Sequence, residues 1–323
     1  IYQVGQALGR ECLAEKVSVI LGPGLNIKRS PLCGRNFEYF SEDPYLTGEI
    51  AKSHLSGVQS QGVGTSVKHF AANNQETRRM TIDAVVDERA LREIYLAGFE
   101  TVVKEAQPWT VMHAYNRVNG TYCGEHTELL RGILKGEWAH EGLVVTDWGA
   151  MDQRPEALAA GTELEMPGVK NGNDARIVAA VEAGQLDEEV LDRAVERLLA
   201  LIFKAEEALA GDHTYDPLAH HALARRVAGE GAVLLKNEGQ PDPLLPLQPG
   251  CRVALIGRFA RAARYQGAGS SQINPCCMDN LYDEMLEMAG EENLVYAPGY
   301  AAKGDEPDEA LIREAVEAAQ GAG

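Results

Sequence analysis

Short apolar runs rich in β-branched residues alternate with longer amphipathic stretches along the first two-thirds of the chain, and this alternation restricts the architecture more than any other feature. Val17–Leu21 is apolar and stops at Gly22-Pro23-Gly24. A helical segment is expected over 48–57 and a strand over 65–70. Over 87–104, Leu91, Ile94, Tyr95, Phe99, Val102 and Val103 recur near the helical period of 3.6 residues. A strand over 110–114, a helix over 127–136 and a strand over 143–145 follow, the last ending at Thr146-Asp147. One more strand is expected over 161–166. The stretch 186–208 reads as a long helix with Val190, Leu191, Ala194, Val195, Leu198 and Ile202 on one side. Strands separated by helical crossovers pair in parallel, so the pattern predicts an α/β fold with a parallel sheet, doubly wound or closed as a barrel. No internal repeat is visible. Beyond Lys236 the texture changes: Asn237–Gly250 is rich in Pro and Gly and reads as a connection, before a fresh strand over 252–256 and a helix over 309–320.

Composition excludes several partners. The formal net charge is −18 over 323 residues, a surface that repels nucleic acid and anionic membranes. No apolar run approaches the roughly 20 residues of a membrane span. A neutral or cationic small molecule suits the charge better than a polyphosphate. The six cysteines, Cys12, Cys33, Cys123, Cys251, Cys276 and Cys277, show no metal-ligand spacing. They read as reduced structural thiols of a cytoplasmic protein, and the sequon Asn119-Gly120-Thr121 as accidental. The chain starts at Ile1-Tyr2-Gln3 without an initiator Met, so a missing N-terminal portion is expected.

Several strands end in side chains of catalytic type: Lys68-His69, then Tyr115-Asn116-Arg117, then Asp147-Trp148. Taken singly, each has a plain structural role. An Asp after a strand caps a helix or turn, a Lys is a surface charge, and a buried His is a hydrogen-bonded core residue. Three such ends in one barrel would meet on its C-terminal face, where such enzymes carry their sites. A carboxylate beside an indole suits sugar chemistry. The ring packs on the apolar face of a pyranose, and the carboxylate attacks the anomeric carbon or stabilises its developing charge. Arg35, Lys68 and His69 offer donors to sugar hydroxyls. Gly257, Gly267 and Gly269 lack the spacing of a nucleotide loop.

Long motifs add a resemblance. Gly34-Arg35-Asn36-Phe37-Glu38-Tyr39-Phe40-Ser41-Glu42-Asp43-Pro44, Lys68-His69-Phe70-Ala71-Ala72-Asn73-Asn74-Gln75-Glu76, Asp87–Glu93, Tyr115–Gly120 and Val145-Thr146-Asp147-Trp148-Gly149 resemble the signatures of glycoside hydrolase family 3 β-glucosidases. The resemblance spans essentially the whole chain. It implies a (β/α)8 TIM-barrel-like domain over 1–210, incomplete at its start, a linker over 211–250, and the start of an α/β sandwich domain over 251–323. By motif it makes Asp147 the catalytic nucleophile. Arg35, Lys68, His69 and Arg79 would hold the sugar's hydroxyls, Tyr115 would stand beside the nucleophile, Trp148 would wall the cleavage point, and Ser270 would reach in from the second domain. It implies no cofactor and no metal, a small oligosaccharide or aryl β-glucoside as substrate, and leaves a homodimer open for the longer protein.

Two departures matter. The family's Thr-Asp-Gly-Pro motif has no match here, and its acid/base Glu belongs to a loop that this sequence does not contain, so residues 1–323 alone are expected not to turn over natural disaccharides. His113 stands where many relatives have Ser. The run after Lys68-His69-Phe70 disfavours the N-acetylglucosaminidase branch. β-Xylosidase or α-arabinofuranosidase activity, a non-catalytic sugar-binding remnant, and a barrel aldolase using Lys68 as a Schiff base remain as alternatives.

Overall fold

The apolar runs come together as parallel strands. The computed structural model describes residues 1–168, 172–239, 243–267 and 269–322, and the chain divides into two compact units at Tyr215/Asp216. The first unit runs α1 (Tyr2–Ala14), β1 (Val19–Ile20), α2 (Pro44–Gln59), β2 (Gly64–Phe70), β3 (Asp83–Ala84), α3 (Glu88–Ala90), a π turn (Leu91–Tyr95), α4 (Ala97–Ala106), β4 (Thr110–His113), β5 (Arg117–Val118), β6 (Thr121–Tyr122), a π-helical stretch (Glu128–Glu137), β7 (Leu143–Thr146), α5 (Arg154–Ala160), α6 (Asn173–Glu182) and α7 (Glu188–Leu209). Strands β1, β2, β4 and β7 pair in that order, all parallel, as an arc of the expected barrel.

Where the sequence predicts a strand over 161–166, the structure has a single bridge from Leu164 to β7. The reason is local. Side chains supply part of the pairing: Glu163 Oε2 accepts from Val144 N at 2.7 Å, and Thr146 Oγ1 bonds both the N (2.7 Å) and the O (3.0 Å) of Met166. A small second sheet joins β3, β5 and β6. Its hairpin turns on Asn119 and Gly120, both at positive φ (50° and 94°), a conformation that suits an Asn-Gly pair. The Asn119 amide donates to Val86 O and accepts from Val86 N, both at 2.9 Å, so it is committed to the fold.

Alternation along the strands separates two cores. Val111 and Val144 face the helices, in a cluster with Leu55, Phe70, Phe99 and Trp138, whose rings meet edge-on at 5.2 and 5.9 Å. Met112, Leu143 and Val145 lie in a second cluster against Leu198 and Leu201 of α7. Helix α7 crosses the N-terminal ends of the strands. Lys204 Nζ sits 4.2 Å over the Trp109 ring before β4, Ala208 and Leu209 pack with Val63 and Ile20, and Lys16 donates to Gly211 O at 2.8 Å just beyond the helix.

The second unit contains α8 (Pro217–Gly231), β8 (Val253–Ile256), α9 (Leu281–Ala289), β9 (Leu294–Ala297) and α10 (Glu309–Gln320), with β8 and β9 parallel. Helix α8 falls inside the stretch 211–250 expected as a linker. Asp216 caps it, its Oδ1 accepting from Leu218 N (2.9 Å) and Ala219 N (3.2 Å), and Pro217 opens the first turn. Among the described residues no helix is long and apolar enough to cross a membrane.

Helices α1 and α2 meet through glycines. A Cβ on Gly57 would stand 2.2 Å from Tyr2 O, and one on Gly5 2.2 Å from His54 O. Backbone is in the way on both sides, so the helices cannot keep this approach with any side chain there. Gly57→Ala is expected to destabilise the protein by about 1–3 kcal/mol through overpacking, and a thermal unfolding midpoint equal to the parent's would contradict this contact.

Candidate active site

The pairing sets three strand ends level. Phe70 stands opposite His113, and His113 opposite Thr146, with a bulge in β2 at His69. Such a bulge re-aims a side chain. Asp147 follows directly, its N–H donating to His113 O at 3.3 Å. Thus Lys68, His69, Tyr115 and Asp147 come from separate chain segments to one cluster.

Asp147 is 9% exposed. Its Oδ1 accepts from Trp148 N at 2.7 Å. Its Oδ2 is buried without a hydrogen-bond partner among the described residues, and its neighbour is His69 Nε2 at 3.4 Å. His69 is fixed on every other side. Asn26 accepts from His69 N at 2.8 Å and donates to His69 O at 2.9 Å, and the Tyr39 hydroxyl lies 3.1 Å from Nδ1. Nδ1 also lies 3.2 Å from Asn26 Oδ1, an atom that can only accept, so the ring is held between Tyr39, Asn26 and Asp147. Burial, and then the charges of Arg35, Lys68 and Arg79, push the His69 pKa well below its ordinary value. The imidazole is therefore neutral, not a cation.

The cations around this pair are each held by a carboxylate. Glu38 bridges Arg35, a short contact, and Lys68 at 3.3 Å. Burial opposes the Arg35 charge, but the Glu38 bond and the charges of Tyr39, Glu38 and Asp147 outweigh it and raise the pKa. Arg79 pairs with Glu76 at 3.0 Å, and its guanidinium carbon lies 4.8 Å from the centre of the Tyr115 ring. The Tyr115 hydroxyl donates to Trp148 O at 2.9 Å. Burial and the adjacent Asp147 charge push its pKa up to about 12, so it stays protonated. A cavity of about 120 Å³ opens beside it, lined by Met80, His113, Tyr115, Tyr122, Glu125 and Gly149 among others.

The structure thus brings Asp147, Arg35, Lys68, His69, Arg79 and Tyr115 together. Trp148 adjoins them with its side chain half exposed, which suits a face open to a ligand. Ser270 belongs to the second unit, on the exposed turn Gly269–Ser271. Sequence reasoning assigned no part to Glu38, Tyr39, Glu76 or Asn26. Glu38 and Tyr39 lie within the motif that starts at Gly34, and Glu76 ends the Lys68 motif three residues before Arg79, a spacing that could have marked it as a partner. Nothing local marks Asn26. Among the described residues no group of three or more His, Cys, Asp or Glu is placed to hold a metal ion. Lys68 faces a carboxylate rather than the apolar pocket that activates a Schiff-base lysine.

A buried carboxylate with one free oxygen, ringed by charged donors, is equipped to meet positive charge developing on a sugar ring. Comparison with known proteins gives the family. Residues 1–201 match the Glycosyl hydrolase family 3 N terminal domain and residues 232–323 the Glycosyl hydrolase family 3 C-terminal domain. The chain belongs to glycosyl hydrolase family 3, and its first unit has the TIM-barrel-like α/β fold of that family. It is 57% identical over 320 residues to thermostable beta-glucosidase B of Acetivibrio thermocellus, covering 99% of this chain and 42% of that protein. It is 47% identical over 332 residues to an exo-alpha-(1->6)-L-arabinopyranosidase of Bifidobacterium longum, covering 100% of this chain and 43% of that protein. The crystal structure of a Bifidobacterium adolescentis GH3 beta-glucosidase superposes with a TM-score of 0.93 at 46% identity, covering 100% of this chain and 47% of that one. Beta-glucosidase 3B of Thermotoga neapolitana in complex with glucose superposes at 0.84 and 40% identity, over 99% of this chain and 43% of that one. The chain spans less than half the length of these relatives.

The buried histidines set a pH dependence. His113 is held at about 4 and His140 at about 3, in both cases first by burial. The folded state keeps them neutral while the unfolded chain takes up protons below about 6.5. Their contribution is therefore fully present above pH 6.5 and is lost as pH falls toward 4, by about 1.4 kcal/mol per pH unit for each group. His113→Gln is expected to flatten the fall in stability between pH 6.5 and pH 4.5 by that amount. Urea midpoints with the same pH slope in parent and variant would refute it.

Proposed function

We propose that the protein carrying this chain is a retaining, exo-acting β-glucosidase that removes terminal non-reducing β-D-glucosyl residues, with Asp147 as nucleophile. The observation that carries this reading is Asp147 Oδ2, buried, without a hydrogen-bond partner among the described residues, and faced by a neutral His69. In the first step Oδ2 attacks the anomeric carbon as the glycosidic C–O bond breaks. A carboxylic acid protonates the departing oxygen, leaving a glycosyl ester on Asp147. In the second step the same group, now a carboxylate, takes a proton from water. The water oxygen attacks the anomeric carbon, the ester C–O bond breaks, and the sugar leaves with its configuration retained.

Arg35, Lys68 and Arg79 present donors to the hydroxyls of the bound ring. Their carboxylate partners Glu38 and Glu76 are natural acceptors for the same hydroxyls. The acid/base is assigned outside residues 1–323. Glu76 is tied to Arg79, while Glu165 accepts from Asn173 Nδ2 at 2.8 Å and lies 3.7 Å from Arg154.

A second reading is favoured by the likeness to the Bifidobacterium longum exo-alpha-(1->6)-L-arabinopyranosidase. An arabinopyranose lacks the hydroxymethyl arm of glucose, so the two readings differ in whether that arm is accepted. The test uses the full-length protein with aryl β-D-glucopyranoside and aryl α-L-arabinopyranoside side by side. A higher kcat/KM for the glucoside supports the first reading, and the reverse order supports the second.

Asp147→Asn is expected to lower kcat on the preferred substrate by at least a thousandfold, because an amide is a poor nucleophile. A 2-fluoro-glycoside should add one sugar mass to the peptide containing Asp147. A loss under tenfold, or an adduct on another residue, would remove Asp147 from this role.

Lys68→Ala is expected to raise the inhibition constant for glucose about 10- to 100-fold, as a hydrogen bond to a charged group is worth about 1.5–3 kcal/mol. An unchanged constant in the folded variant would refute its contact with the sugar.

A further inference from the structure

A second cluster of charge lies at the opposite end of β7 from Asp147. A cleft of about 340 Å³ is lined by Arg131, Lys135, Arg193, Arg197, Glu163 and Gly161 among others. Glu163 is its buried carboxylate, with the side chain 4% exposed. That carboxylate is fully used. One oxygen contacts Lys135 and, at 2.9 Å, Arg197, and the other accepts from Val144 N at 2.7 Å. Lys135 also donates to Gly161 O at 3.3 Å.

Two guanidinium groups are left over. Arg193 has an exposed partner one helical turn away, Glu189 at 3.3 Å, and such pairs are worth little. Arg131 makes no ion pair and no side-chain hydrogen bond among the described residues. Three guanidinium cations thus share a cleft with one committed carboxylate, in a chain whose net charge is −18. Beside them burial first, and then Arg197 and Arg131, push the Lys135 pKa down to about 6, so that this amine is a donor more than a charge. Burial first, and then the neighbouring guanidinium charges, lower the pKa of Arg131 and of Arg197. These groups repel one another, and an anion between them would relieve that repulsion. A guanidinium fork matches two oxygens of a phosphate at once.

We propose that this cleft is a binding site for a small phosphate-type oxyanion, gripped by Arg131 and Arg193 with Lys135 and Arg197 behind them. A long polyanion does not fit, because the surface around one cleft in so acidic a chain offers no continued track of positive charge. The anion is either free phosphate or the phosphate group of a small metabolite. Neither has a part in the chemistry proposed at Asp147.

Calorimetric titration of the full-length protein with inorganic phosphate, at fixed low ionic strength set with chloride, tests this site. Saturable binding is expected, weakened at least tenfold in Arg131→Ala and in Arg193→Ala, with Arg131→Lys in between. Hydrolysis of an aryl glycoside without phosphate should be unchanged in all three variants, which shows that each is folded. A parallel titration with glucose 6-phosphate identifies the source. Tighter binding than phosphate points to a phosphorylated metabolite, and equal binding to the free ion. The unfolding midpoint gives an independent readout, since a ligand bound only by the folded state raises it. Phosphate also stabilises proteins by general exclusion from their surfaces, so the same rise in parent and Arg131→Ala would overturn the proposal. Absence of saturable phosphate binding to the parent would overturn it as well.

Discussion

The cluster at Asp147 depends on strand register. His113 stands across from Phe70 on one side and from Thr146 on the other, and the residues that follow or flank these positions are Lys68, His69, Tyr115 and Asp147. Side chains alternate along a strand, so a slip of one residue in any pairing would turn a member of the cluster toward the helices and bring an apolar side chain in its place. The packing of Val111 and Val144 on one face, and of Met112 and Val145 on the other, opposes such a slip with buried area on both sides. The chemistry is positioned by a hydrophobic pattern that takes no part in it.

Around that frame, charge is distributed so that cations and carboxylates interleave. Glu38 stands between Arg35 and Lys68, and Glu76 against Arg79. His69, held neutral by burial and by those same cations, is the group turned toward Asp147. A protonated imidazole there would form a tight ion pair with the carboxylate. A neutral one orients it without neutralising it. The same environment thus keeps the imidazole uncharged and leaves Oδ2 free for an incoming atom.

Much of this was legible in the sequence, because parallel α/β units announce themselves by period. The strands over 65–70 and 110–114 and the long helix over 186–208 are found with their ends shifted by one or two residues. The motifs held the residues that meet at the site. What was not legible depended on contacts between distant segments or on backbone geometry. Asn26 is an ordinary loop residue until it clamps the backbone of His69, 43 positions away. The approach of α1 and α2 is visible only as glycines, which have other uses. The strand expected over 161–166 is interrupted because Glu163 and Thr146 turn side chains into the ladder, and no periodicity reports that. Two signals were available and passed over. Asn119-Gly120 is a two-residue hairpin turn, and Asp216-Pro217 is a helix start inside a stretch read as linker.

Helix α7 has a consequence for how such a protein can change. From Arg197 to Leu209 it touches, in turn, Glu163, the residues around Leu143 and Met112, the ring of Trp109, then Val63 and Ile20, with Lys16 closing on the backbone beyond it. One rod rests on segments drawn from the whole first unit, all at the end of the sheet away from Asp147. Lengthening a connection at that end would push against the rod and disturb its other supports. The loops that leave from the Asp147 end are tied to one another instead, by Asn26 on the backbone of His69 and by Tyr115 on Trp148 O. A change in one of those loops is therefore felt by its neighbours on the same rim and not by the rod, which serves the first unit as its keel.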